Sequence, residues 1–235
     1  KLSASGQELG GDVIFGTRFG FSGTPNKLLP ITMGECRFEL GTQGKVIAML
    51  TDPTITSYVP DALTSSTTSL AAASIPSSIA SSSTDSPSLA TPWTVRDLLR
   101  HVARGGYNAL VDTGALVTGL SNEEVARQLL REGLEGCSGV VFLDEHDNQR
   151  VLLRHAATPA LLSEVGLALD ERFTFYDHVH TTGTDIKQAP SAVAAVTLGK
   201  DMTLRDYAQG CWRMRGIGRG QKIAAIAPPE VEELM

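Results

Sequence analysis

The chain has 235 residues, a net charge of −6 and 42% hydrophobic residues, with aromatics at only 6%. That length and composition suit a soluble protein with an aliphatic core, and the acidic balance argues against one that coats nucleic acid. The three cysteines, Cys36, Cys137 and Cys211, are odd in number and form no CxxC pair, so neither a disulfide framework nor a structural metal site is expected.

In chain order, residues 1–11 are a polar lead-in. Residues 12–21 (DVIFGTRFGF) predict a strand that runs into Ser22, Gly23 and Thr24. Residues 45–50 predict a short strand, and 52–60 an extended segment with proline at positions 53 and 60. Residues 61–92 are almost entirely Ser, Thr, Ala and Pro. Such a stretch buries too little apolar surface to offset backbone ordering at about 1–2 kcal/mol per residue, so a disordered surface insertion is expected there.

Thr94 is a helix cap with Asp97 three residues on, followed by an apolar face of Val95, Leu98, Leu99 and Val102. Residues 107–111 predict a strand leading into Asp112, Thr113 and Gly114. Asn122 is the expected cap of an amphipathic helix ending at Gly133. Residues 140–143 form a continuous apolar run suited to a buried parallel strand, and 150–154 a further strand. Leucine spacing predicts a helix over 159–169, and the alternating run RFTFYDHVH predicts a strand that puts His178 and His180 on one face. A strand over 192–198, an arginine-bearing helix with Gln209, Arg213 and Arg215, and a final strand over 222–227 complete the chain.

Strands alternate with helices from residue 107 onward, which predicts an α/β fold with a mostly parallel sheet flanked by helices. Ligands of such sheets bind beyond the carboxyl ends of strands. Three polar turns fall at such ends: residues 112–114, 144–147 and 180–185. Arginine's planar fork suits phosphate oxygens, so the arginines near the last turn are candidate phosphate readers. The competing reading has them locked with Asp185 in internal salt bridges.

Residues 179–188 (VHTTGTDIKQ) and 207–220 (YAQGCWRMRGIGRG) resemble motifs five and six of superfamily-two helicase-type motors, the first in a form close to the SecA translocation motor. Ser22-Gly23-Thr24 looks like motif three. The resemblance implies a RecA-like (P-loop-NTPase-type) second lobe over 93–235, with 1–60 the end of a preceding lobe and its connector and 61–92 the insertion. It implies Gly183, Thr184, Asp185, Gln209, Arg213 and Arg215 as nucleotide-contacting residues. ATP with Mg is then the implied cofactor, with the magnesium-binding half supplied by an upstream lobe. Arg213 fits the arginine spacing after Gln209, but the next expected arginine position holds Gly216, and no GxxxxGK[ST] loop occurs.

A longer resemblance rests on FGTRFGFSGTP, NALVDTGALVTGLSNEEVA, GVVFLDE, FYDHVHTTGTDIKQ and TLGKDMTLRDYAQGCWRMRGIG. Together these are similar to the C-terminal part of very large eukaryotic proteins commonly labelled ubiquitin thioesterase, or ubiquitinyl hydrolase. That resemblance implies a thiol-dependent deubiquitinase as the parent protein, with ubiquitin and the preceding lobe of the same chain as partners.

Thiol chemistry needs a thiolate with a histidine in reach. Cys36, Cys137 and Cys211 are the candidate nucleophiles, with Cys211 expected to be activated by nearby positive charge, and His178 and His180 are the candidate bases. Each is also explained as a buried thiol or a polar contact at a strand end. Nucleic acid is not an expected partner. No apolar run reaches the roughly 18–20 residues that span a bilayer, so a cytoplasmic or nuclear chain, part of a longer protein, is expected.

Overall fold

The computed structural model describes residues 42–63, 93–183 and 185–235. The expected strand over 12–21, Ser22, Gly23, Thr24, Cys36 and Thr184 lie outside them. Among the described residues the strands are β1 (Thr56–Val59), β2 (Ala109–Val111), β3 (Gly139–Leu143), β4 (Gln149–Leu153), β5 (Ala160–Leu161), β6 (Arg172–Tyr176), β7 (Val193–Thr197) and β8 (Lys222–Ile226). The helices are α1 (Thr42–Thr51), α2 (Val95–Arg104), α3 (Asn122–Glu132), α4 (Leu204–Cys211) and α5 (Pro229–Glu232).

All eight strands join one sheet in the order β1-β8-β7-β2-β6-β3-β4-β5. Every pairing from β1 to β3 is parallel, and β4 and β5 are added antiparallel at one end. The fold is therefore α/β with a mostly parallel sheet flanked by helices. Strands β2, β3 and β6 are buried along their whole length, as parallel strands covered on both faces must be.

Alternating side chains feed two cores. On one face Val111, Val141, Tyr176, Val196 and Ile223 pack with Val46 and Leu50 of α1, Ala208 and Cys211 of α4, and Trp212. On the other, Leu110, Val140, Phe173, Phe175 and Ala195 pack with Leu98, Leu99 and Val102 of α2 and Val125 and Leu129 of α3. Each such aliphatic or aromatic side chain contributes about 1.5–3 kcal/mol on burial, so the two layers and not the surface ion pairs dominate stability.

Capping boxes start the three main helices. Thr94 with Asp97, Ser121 with Glu124 and Thr203 with Asp206 each exchange reciprocal bonds with the first turn. The cap of α3 is Ser121 and not the expected Asn122, which lies inside the helix and instead donates its amide to Leu143 O at 2.9 Å. Glu132 of α3 is 9% exposed and gathers Arg96 and Arg100 of α2, fastening the two helices together.

Several elements differ from expectation. Residues 45–50 belong to helix α1, because Val46 and Leu50, four apart, share one buried face while Ile47 is exposed. Residues 159–169 are not a helix. Pro159 and Gly166 interrupt the segment, which gives β5 and a single 3-10 turn over Leu162–Glu164. Strand β6 stops at Tyr176, and Val179–Thr181 form a 3-10 turn, so His178 and His180 do not share a strand face. Helix α4 ends at Cys211, leaving Arg213 and Arg215 in the turns beyond it.

Residues 42–63 do not stand apart from 93–235, since β1 pairs in register with β8 and Ile223 N donates to Ile55 O at 2.9 Å. Asp61–Leu63, expected at the head of the insertion, form a turn with Leu63 buried against the α2 and α3 layer. Among the described residues no helix is long and apolar enough to cross a membrane.

Candidate functional site at the carboxyl edge of the sheet

Strands β2, β3, β6 and β7 all deliver their carboxyl ends to one edge. The chain leaves β2 by way of α3 toward β3, and leaves β7 by way of α4 toward β8, on opposite sides. The point where connections from adjacent strands diverge is where such sheets open a crevice.

The floor of that point is closed by a polar knot. Asp112, 1% exposed, accepts from Leu116 N and Val117 N at 2.9 Å each and from Thr197 Oγ1 at 2.7 Å. Thr197 Oγ1 in turn accepts from Gly114 N at 2.9 Å. Burial pushes the Asp112 carboxyl above its ordinary pKa, and its hydrogen bonds act in the opposite sense. Gly114 and Gly199 meet backbone to backbone: a Cβ on Gly114 would stand 2.6 Å from Gly199 N, and one on Gly199 2.4 Å from Gly114 O. His178 Nδ1 donates to Thr113 O at 3.2 Å, which brings the turn after β6 against the turn after β2.

The predicted phosphate-reading residues meet one another through Asp185. Asp185 accepts from Arg213 Nη1 at 2.7 Å through one oxygen and from Arg215 Nε at 2.8 Å through the other. Gly183 lies two residues before Asp185, at positive φ. Of the predicted set, Asp185, Arg213 and Arg215 are thus joined directly. Gln209, half-buried on α4, is not a partner of Asp185. Arg213 is buried, at 6% exposure, and Asp185 neutralises it there. Arg219 donates to Arg215 O at 2.8 Å. The pairing holds the buried Arg213 fork inward, while Arg215 stays exposed at the surface with the Asp185 carboxylate already in place as the anion both guanidinium groups meet.

The thiols are also accounted for. Cys211 is fully buried next to Tyr207, and burial pushes its pKa up to about 12. The expected activation by positive charge is therefore reversed, because Arg213 and Arg215 pair with Asp185 while the thiol faces the apolar layer. Cys137 is half-buried, and burial raises its pKa against a smaller pull from Arg154. It lines an open cavity of about 610 Å³ with His155, a neighbour that sequence reading did not single out. Arg154 is engaged by the carbonyls of Leu130, Gly133, Leu134 and Cys137, so it ties down the end of α3.

His180 sits between two carboxylates, Asp177 and Asp147. Asp144 organises the β3–β4 turn, accepting from His146 N, Asn148 N and Arg150 Nε. The Arg150 bond, with the turn amides, holds its carboxyl well below the usual carboxylate range. Among the described residues no group of three or more His, Cys, Asp or Glu side chains is placed to hold a metal ion. The chain matches no protein-family model, no curated protein and no solved structure.

Proposed function

We propose that this chain is a RecA-like lobe of a large protein of the ubiquitinyl hydrolase type, and that its described residues act as a non-catalytic, interaction-forming lobe. The lobe reading is supported by the parallel sheet and by the pairing of Asp185 with Arg213 and Arg215. The ubiquitin-directed reading of the parent protein rests on the sequence resemblance.

The observation that carries the non-catalytic reading is the Asp185 pairing. Two arginines placed as phosphate readers are paired with a carboxylate of their own chain. Deubiquitination needs an exposed, ionised thiol. Cys211 is neither, and the raised pKa of Cys137 keeps it a neutral thiol at physiological pH.

The test uses ubiquitin bearing a thiol-reactive group at its carboxyl terminus. The parent protein is expected to form a covalent adduct that survives Cys137→Ala and Cys211→Ala. An adduct mapped to either of those cysteines would overturn the non-catalytic reading. A parent that forms no adduct would overturn the ubiquitin-directed one. Loss of the adduct in Cys36→Ala would place the nucleophile within this chain but outside the described residues.

A nucleotide-binding motor lobe is the second reading, favoured by the convergence of two guanidinium groups on one acceptor. Saturable binding of a fluorescent ATP analogue, abolished by Arg213→Ala, would support it over the first.

A further inference from the structure

Both ring nitrogens of His180 face carboxylates. Nδ1 pairs with Asp177, three residues earlier, and Nε2 stands 2.9 Å from Asp147 Oδ1 on the β3–β4 turn. A neutral imidazole carries one N–H and can donate to only one of them, whereas the imidazolium donates to both. The arrangement is thus complete only when His180 is protonated. Its side chain is 13% exposed, and it lines a groove of about 850 Å³ together with residues of the β3–β4 turn and of the turn after β6.

Other charged groups around the groove are held by partners of their own or are exposed to solvent. Arg150 holds Asp144, and Arg127 holds Glu123 at the start of α3. His178, on the same turn as His180, donates to Thr113 O. Glu145 and His146 are exposed on the β3–β4 turn. Among the described residues only Asp177 and Asp147 contact the His180 ring nitrogens.

We propose that His180 is a pH-released clasp: as imidazolium it ties the β3–β4 turn to the turn after β6 where both line the groove, and on deprotonation it frees the Asp147 side. The Asp177 bond is local and its carboxylate is 23% exposed, while Asp147 is 73% exposed and readily hydrated. The remaining proton therefore stays on Nδ1, and Nε2 turns a lone pair toward the Asp147 carboxylate. Attraction becomes repulsion, and the groove widens.

Burial alone would lower the His180 pKa, but the hydrogen bonds and charges of Asp177 and Asp147 outweigh it and raise it. A raised folded-state value means the tie is fully present below the unfolded-state pKa of about 6.5, and is lost as pH rises through the higher folded-state value.

The test is residue-resolved NMR on the full chain between about pH 5.5 and 8.5, the range in which histidine titrates. The Asp147 and Asn148 amide shifts are expected to follow the His180 midpoint. Their exchange protection, corrected for intrinsic pH dependence, should fall by about tenfold across that step. The step should vanish in His180→Gln, and in Asp147→Asn the His180 midpoint should move down. Flat Asp147 and Asn148 shifts while His180 titrates, a step that follows His146 instead, or a step that persists in His180→Gln would each overturn the clasp.

Discussion

The carboxylate of Asp185 accepts a hydrogen bond from the buried guanidinium of Arg213 at 2.7 Å. Its second oxygen holds Arg215, so one residue on the loop after β6 fixes the chain beyond α4. Asp185→Ala leaves the Arg213 charge buried without this partner. Because Asp185 is itself 41% exposed, water offsets part of the loss. The expected destabilisation is about 1–3 kcal/mol, read as a lower urea midpoint at unchanged slope. Asp185→Asn, which keeps one acceptor, should lose less.

The same pairing shows what was legible in the sequence. Asp185, Arg213 and Arg215 were identifiable as a group from residue type, and internal salt bridging was one of two readings the residues allowed. The ion pairs themselves are visible only in three dimensions, because burial of Arg213 is set by the apolar layer around Trp212 and Met214. The strand-end turns at 112–114 and 144–147 were legible because polar and glycine residues follow continuous apolar runs.

The partners of those turns were not legible. Thr197 and Gly199 meet Asp112 and Gly114 across 85 residues, and no local pattern announces such a contact. Short apolar stretches misled where period was ambiguous, as at Val46 and Leu50. His178 and His180 looked like alternating strand positions because the aromatic run before them alternates, but hydrogen bonding turns the chain at Asp177.

Thr197 occupies the middle of the polar knot, donating to Asp112 Oδ1 and accepting from Gly114 N. Thr197→Val has nearly the same shape but removes the side-chain acceptor of Gly114 N and one of the three donors that Asp112 uses. A loss of about 1–3 kcal/mol is expected, with Thr197→Ser recovering most of it because the hydroxyl is restored. Thermal or urea denaturation of the three proteins side by side checks the order. Equal stability of the Val and Ser variants would contradict the knot.

Gly114 and Gly199 pack too closely for any side chain. The clashing atoms are backbone on both sides, so no flexible group can move away. Gly114→Ala and Gly199→Ala are each expected to cost about 1–3 kcal/mol as the two turns are forced apart. Gly44→Ala is the matched control, because its Cβ meets nothing within 4 Å. It sits within α1, where alanine is the better helix former, so it should be neutral or stabilising.

Thiol reactivity separates the two described cysteines without reference to any substrate. Cys211 is fully buried and its pKa is pushed up to about 12, so at neutral pH it is both inaccessible and un-ionised. Cys137 is half-buried with a raised pKa, so it is reachable but slow. Iodoacetamide on the native chain, read by peptide mass spectrometry, should mark Cys137 slowly and leave Cys211 unmarked. In urea both should react at similar rates, since the difference lies in the fold. Rapid native labelling of Cys211 would mean that α4 opens, and would return that thiol to the list of possible nucleophiles.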